Sequence, residues 1–183
     1  MQPTLRRTSL CGTAYKRLAW IEVLANDKSA EHKALAKMEE FFTEAERRAK
    51  LTDPARAYEP ALERLAAQMF IAAPASVKTD ILQVQAQLRP WVESQPDFQN
   101  VAALILANLY LVLLDAELKV NSTELLNSFA DLKRRVPAVL KWREVQMQVD
   151  FVLDRYMANA SKAESLAVKA FKENMTDWVK AQD

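Results

Sequence analysis

Residues 5–50, LRRTSLCGTAYKRLAWIEVLANDKSAEHKALAKMEEFFTEAERRAK, decide the fold class. Leu35, Met38, Phe42, Ala45 and Ala49 recur at steps of three and four, the spacing that places side chains on one face of an α-helix. Glu39, Glu40, Glu46 and Arg47 fall mostly on the other side, which reads as a solvated back. Upstream, Leu10, Ala14, Leu18 and Ile21 keep steps of four, four and three, predicting a first helix over about 5–24 with these four on its buried face. Asn26 and Asp27 end that helix, and Ser29 is placed to cap the next. The two are therefore expected to pair as an antiparallel hairpin.

The same pattern continues down the chain. Asp53-Pro54 and then Pro60 open a third helix bearing Leu62, Leu65, Met69 and Ala73. Ser76 can cap a fourth built on Val77, Ile81, Val84 and Leu88, which Pro90 ends or kinks. Pro96 and Asp97 open an apolar helix running to Leu114. Asn121 with Glu124 has capping spacing ahead of Leu125, Phe129, Leu132 and Val136, and Pro137 separates this sixth helix from a seventh on Trp142, Val145, Val149, Val152 and Tyr156. Ser161 with Glu164 starts an eighth, carrying Phe171, Met175 and Trp178. The expected fold is all-α, about eight helices in antiparallel hairpins stacked as a short α-solenoid. The expected organisation is a single helical-repeat domain over 1–183, with a soft hinge in the irregular segment near 90–97.

Composition leads to the same class. A single glycine, Gly12, in 183 residues leaves little of the positive-φ backbone that hairpin turns and phosphate-binding loops demand, while half the residues are hydrophobic. The formal charge of +1 supplies no global field for gripping nucleic acid or an anionic membrane. The longest apolar run, Val101 to Leu114, is about 14 residues, short of the roughly 18 to 20 that a membrane span needs. One cysteine, Cys11, allows no internal disulfide, and residues 1–9 hold no apolar signal stretch, so a reducing, cytoplasmic setting is expected.

Catalytic chemistry finds few components. His32 is the sole histidine, which with one cysteine removes the usual zinc cages and histidine pairs. A Cys11–His32 dyad is formally available, but Cys11 beside Gly12 reads as a small buried thiol. Neighbouring glutamates (Glu39 with Glu40, Glu44 with Glu46) do not converge on one helix face, and no E-x-x-H pair is present. No catalytic, cofactor-binding or metal residue is expected, and the chain is not expected to be an enzyme. Two basic clusters stand out: Arg6, Arg7, Lys16 and Arg17 on the first helix, and Lys133, Arg134 and Arg135 ending the sixth. Solvated helix ends and dipole complements explain both; the first four are also the candidate partner contacts, a docking edge for an acidic protein surface or for phosphates. Trp142 is assigned to the core, and Trp178 with Phe171 and Met175 to a terminal cap.

Thr8–Ala19, TSLCGTAYKRLA, resembles the SLLGxAYKRxA opening of a tetratricopeptide-like helical region found in large bacterial proteins. Gly12 and Tyr15 have the G-x-x-Y spacing of a tetratricopeptide first helix, and Phe42 with Ala45 the matching F-x-x-A pair, with Met38 where the repeat has alanine. Tyr58-Glu59-Pro60 resembles the family's Y-x-P, and the segments Asn108–Leu118 and Trp142–Leu153 are similar to its terminal helices. The resemblance covers roughly residues 5–157. It implies a helical region attached to caspase-like, CHAT-type or other effectors in bacterial signalling and defence, similar also to the TRAF-binding region of MAP-kinase-kinase kinases. No effector module accompanies it in this sequence, so action in trans, or as one piece of a larger system, is expected.

The function expected is thus a non-catalytic protein–protein interaction scaffold or regulator. Its partner would be another protein, with self-association open, and it would need no cofactor and no membrane. A nucleic-acid-binding helical protein and a small-molecule-binding helical domain remain alternatives, the first marked by steep salt dependence and the second by a deep pocket with clustered charges.

Overall fold

The computed structural model describes residues 4–136, 139–158 and 160–180, excluding the side chains of 139, 140 and 178–180. Pro137 and the side chain of Trp178 lie outside the described residues. Among them the protein is all-α: α1 (Leu5–Leu24), α2 (Lys28–Thr52), α3 (Tyr58–Ile71), α4 (Pro74–Ser94), α5 (Phe98–Leu114), α6 (Leu118–Arg135), α7 (Val139–Met157) and α8 (Lys162–Lys180), with one 3₁₀ turn at Pro54–Arg56 before α3. Two compact units divide the chain, Met1–Leu88 and Arg89–Asp183.

In the first unit α2 lies between α1 and α3. Leu35, Met38, Phe42, Ala45 and Ala49 all point into this core. α1 meets them with a face other than the predicted one. Its buried residues are Thr8, Gly12 and Ala19, whereas Leu10 is 60% exposed, Leu18 40% and Ile21 59%. Gly12 explains the choice. A Cβ built on it would stand 2.7 Å from the Phe42 ring, so only glycine lets the aromatic ring lie against the α1 backbone. Tyr15 stacks on Phe41, with ring centroids 5.6 Å apart. With the Gly12 side of α1 against α2, the leucines are left outside.

Helix ends follow local chemistry. Asp27, rather than Ser29, caps α2 by accepting from the Ala30 N–H at 2.9 Å, and Asp97 caps α5 from the Asn100 N–H at 2.8 Å. α1 and α5 close with the residue after the cap in left-handed backbone. Asn26 (φ 57°) and Ala116 (φ 55°) take that role, and the next N–H reaches back five residues, Asp27 to the Glu22 carbonyl and Glu117 to the Val112 carbonyl. Asparagine tolerates this conformation; alanine pays about 1 kcal/mol for it. Pro90 does not end α4, which runs on to Ser94, so Trp91–Ser94 is helical instead of irregular. The Ser94 hydroxyl donates to the Pro90 carbonyl at 2.8 Å, fastening this last turn.

In the second unit α8 packs on both α6 and α7, and α5 on α6 and α7. The core is aromatic: Trp142 meets Phe98 edge to face at 5.3 Å and Phe129 at 6.4 Å, and Phe129 meets Phe171 at 6.2 Å. The Trp142 indole N–H donates to the Val136 carbonyl at 2.7 Å, satisfying its polar edge. α6 starts at Leu118, ahead of the predicted Asn121 cap, because Glu164 of α8 accepts from the Lys119 N–H at 3.3 Å and supplies the missing acceptor. The Ser161 hydroxyl accepts from the Glu164 N–H at 3.2 Å, as its capping spacing predicts.

Candidate functional site

α1 presents apolar residues on two opposite sides. At about 100° per residue, Thr8, Gly12, Tyr15 and Ala19 cluster toward α2, and Leu10, Ala14, Ile21 and Leu24 fall on the far side, with Leu18 at its border. Leu24 is 79% exposed. The outer residues from Leu10 to Leu24 span about 21 Å of helix. Leu10, Ala14, Leu18, Ile21 and Leu24 thus form an exposed apolar stripe recurring at steps of four and three.

The four cationic candidates separate in space. Arg6 and Arg17 are exposed and stand about three turns apart on the Leu24 side of the outer stripe. Arg7 is exposed toward the other border, in a groove of about 270 Å³ between α1 and α2 with Thr8, Cys11, Phe41, Glu40 and Glu44. Lys16 turns the other way. Its ammonium is largely buried and bonds both Glu63 carboxylate oxygens of α3, at 2.9 and 3.0 Å, so it ties α1 to α3. Arg6, Arg7 and Arg17 meet no carboxylate within ion-pair reach among the described residues. Arg6 also edges a groove of about 500 Å³ with Ala49, Asp53 and Pro60, where Glu59 is already held by Arg56 at 2.6 Å. The second basic cluster completes α6, with Lys133, Arg134 and Arg135 in its last turn and Arg134 paired with Asp131.

Glu40 and Glu44 of α2, which line the groove beside Arg7, are paired within their own helix. Glu44 accepts from Arg47 at 2.7 and 2.8 Å and from Arg48 at 2.6 Å; the Arg47 bond first, opposed by desolvation and aided by Arg48, holds its carboxyl down to about 2. Glu40 pairs with Lys37 at 2.7 Å.

Two residues depart from their expected surroundings. Cys11 is exposed, since Gly12 and not its neighbour faces α2. Glu46, expected to be solvated, is buried where α2 meets α3. It accepts from Arg64 Nε at 2.7 Å and pairs with Lys50 at 2.6 Å, while Arg64 also bonds Gln68 at 2.6 Å and Asp80 of α4 at 3.0 Å. Burial pushes the Glu46 carboxyl up, but the bonds from Lys50 and Arg64 outweigh it and hold it below its ordinary value.

His32 is exposed on α2. Among the described residues no three His, Cys, Asp or Glu side chains stand close enough to hold a metal ion, and no helix is long and apolar enough to cross a membrane. No protein-family model, curated protein or solved structure matches this chain.

Proposed function

We propose that the protein is a non-catalytic scaffold that works in the cytoplasm by holding another protein against the outer face of α1. Holding that partner would couple it to, or restrain it from, an effector activity of the kind attached to the bacterial signalling and defence regions that the sequence resembles. The observation that carries this reading is the stripe of Leu10, Leu18, Ile21 and Leu24, exposed on a helix whose inner face is already packed. Residues that contributed only to the core would be inside. Burying such side chains against a partner returns about 1.5–3 kcal/mol each at full burial, enough for a few of them to dominate a helix-sized interface.

The test is a double variant, Leu10→Glu with Ile21→Glu. Both positions are exposed, so folding stability should change by no more than about 0.5 kcal/mol per site. Wild-type and variant chains are used to capture proteins from nuclease-treated native lysate, and the captured proteins are quantified. At least one protein is expected to be retained by the wild type and to fall by about tenfold or more with the variant. Equal retention of every captured protein would remove this reading.

A further inference from the structure

We infer that the occupant of this face is an amphipathic helix of another protein, with an apolar seam bordered by carboxylates that meet Arg6 and Arg17. The inference rests on the scaffold reading and adds the chemistry of the partner. Leu10, Ala14, Leu18, Ile21 and Leu24 are spaced four, four, three and three, close to the 3.5-residue period at which one helix seats its side chains between those of another. Ala14 lies between Leu10 and Leu18, where its small side chain leaves a recess for a large apolar residue of the incoming helix. Arg6 and Arg17 stand on the Leu24 side of the stripe and Arg7 toward the other, all exposed and all without a carboxylate partner among the described residues. A partner with acidic flanks would complete those charges. One with basic flanks would oppose them.

Two other occupants fit less well. A second copy would bring Arg6, Arg7 and Arg17 against their own equivalents, with Glu22 the only carboxylate that α1 offers in return. An anionic bilayer draws on aromatic residues at its surface, but Tyr15 is stacked on Phe41 and Trp20 is half-buried. Seam register is also irrelevant to a bilayer.

The probe is a synthetic stapled helix with leucine on its seam and glutamate on both flanks, titrated against the full chain by fluorescence anisotropy beside a twin with lysine replacing every glutamate. The glutamate peptide is expected to bind, and the lysine twin about tenfold or more weakly. Arg6→Glu with Arg17→Glu should reverse that preference, and Leu10→Glu with Ile21→Glu should abolish binding of both. Equal affinity for the two peptides, or no binding of the glutamate peptide, would overturn the inference. So would stripe-dependent adhesion to phosphatidylserine vesicles, or stripe-dependent dimerisation in sedimentation, each naming another occupant. A captured protein that depends on the stripe but is not displaced by the glutamate peptide removes this inference and leaves the scaffold reading standing. Captured proteins indifferent to the stripe remove both.

Discussion

Trp142→Ala is expected to destabilise the second unit by about 3–5 kcal/mol. The indole is buried at the meeting point of α5, α6 and α7, in contact with Phe98 and Phe129, and its N–H is satisfied by the Val136 carbonyl. Truncation removes the ring, opens a cavity among aromatic side chains that cannot all collapse into it, and strips that carbonyl of its donor. Stabilities of small domains are of the same order as this loss, so unfolding should become visible under native conditions. Hydrogen exchange read helix by helix checks it. Amides of α5 and α6 should lose protection, while α2, whose core is built around Met38 and Phe42 of the other unit, keeps its own. A loss under about 1 kcal/mol would show that Trp142 is not central to that core.

The second large effect is expected at Arg64. Arg64→Ala should cost about 2–3 kcal/mol, because it leaves the buried Glu46 with Lys50 alone and releases Asp80 and Gln68. Arg64→Met combined with Glu46→Leu should recover most of that loss, to within about 1 kcal/mol of wild type, since it removes the buried charge together with its partner. The sign of the pH dependence follows from Glu46. Its folded carboxyl titrates below its unfolded value, so its contribution is present above the unfolded pKa and is lost as pH falls through the folded one. Arg64→Ala removes one of the two groups opposing burial and should flatten this acid limb. Denaturant unfolding across an acid series measures both quantities. An Arg64→Ala variant with wild-type stability and an unchanged acid limb would show that the network adds nothing.

The helices themselves were legible because their core residues recur at steps of three and four, as Leu35 to Ala49 and Val77 to Leu88 do. Which side of α1 turns inward was not. Two stripes compete there, the bulky Leu10–Ala14–Leu18–Ile21 and the small Thr8–Gly12–Tyr15–Ala19, and hydrophobicity along one helix favours the bulky one. The decision lies in α2, where Phe42 requires the space over Gly12. The signal was present in the G-x-x-Y spacing, which already implies that the glycine side is the packed one. With the faces exchanged, Leu10 and Ile21 leave the core and become the candidate site, and Lys16 moves from candidate contact to an internal tie with Glu63.

Glu46 and Arg64 were hidden for a related reason. Glu46 follows Ala45 and sits four residues after Phe42, on the edge of the buried face, and only the placement of α3 and α4 brings Arg64 to it and Asp80 to Arg64. At Pro90 the local rule pointed to an end or a kink, and the helix continues past it.

The outer face of α1 as a docking surface is tested most directly by placing a photo-crosslinking amino acid at Leu10, at Ile21 or at Leu82, which is 49% exposed on α4, and irradiating living cells. A discrete adduct with the same protein is expected from positions 10 and 21 and none from 82. The same adduct from all three positions, or an adduct from 82 alone, would contradict it.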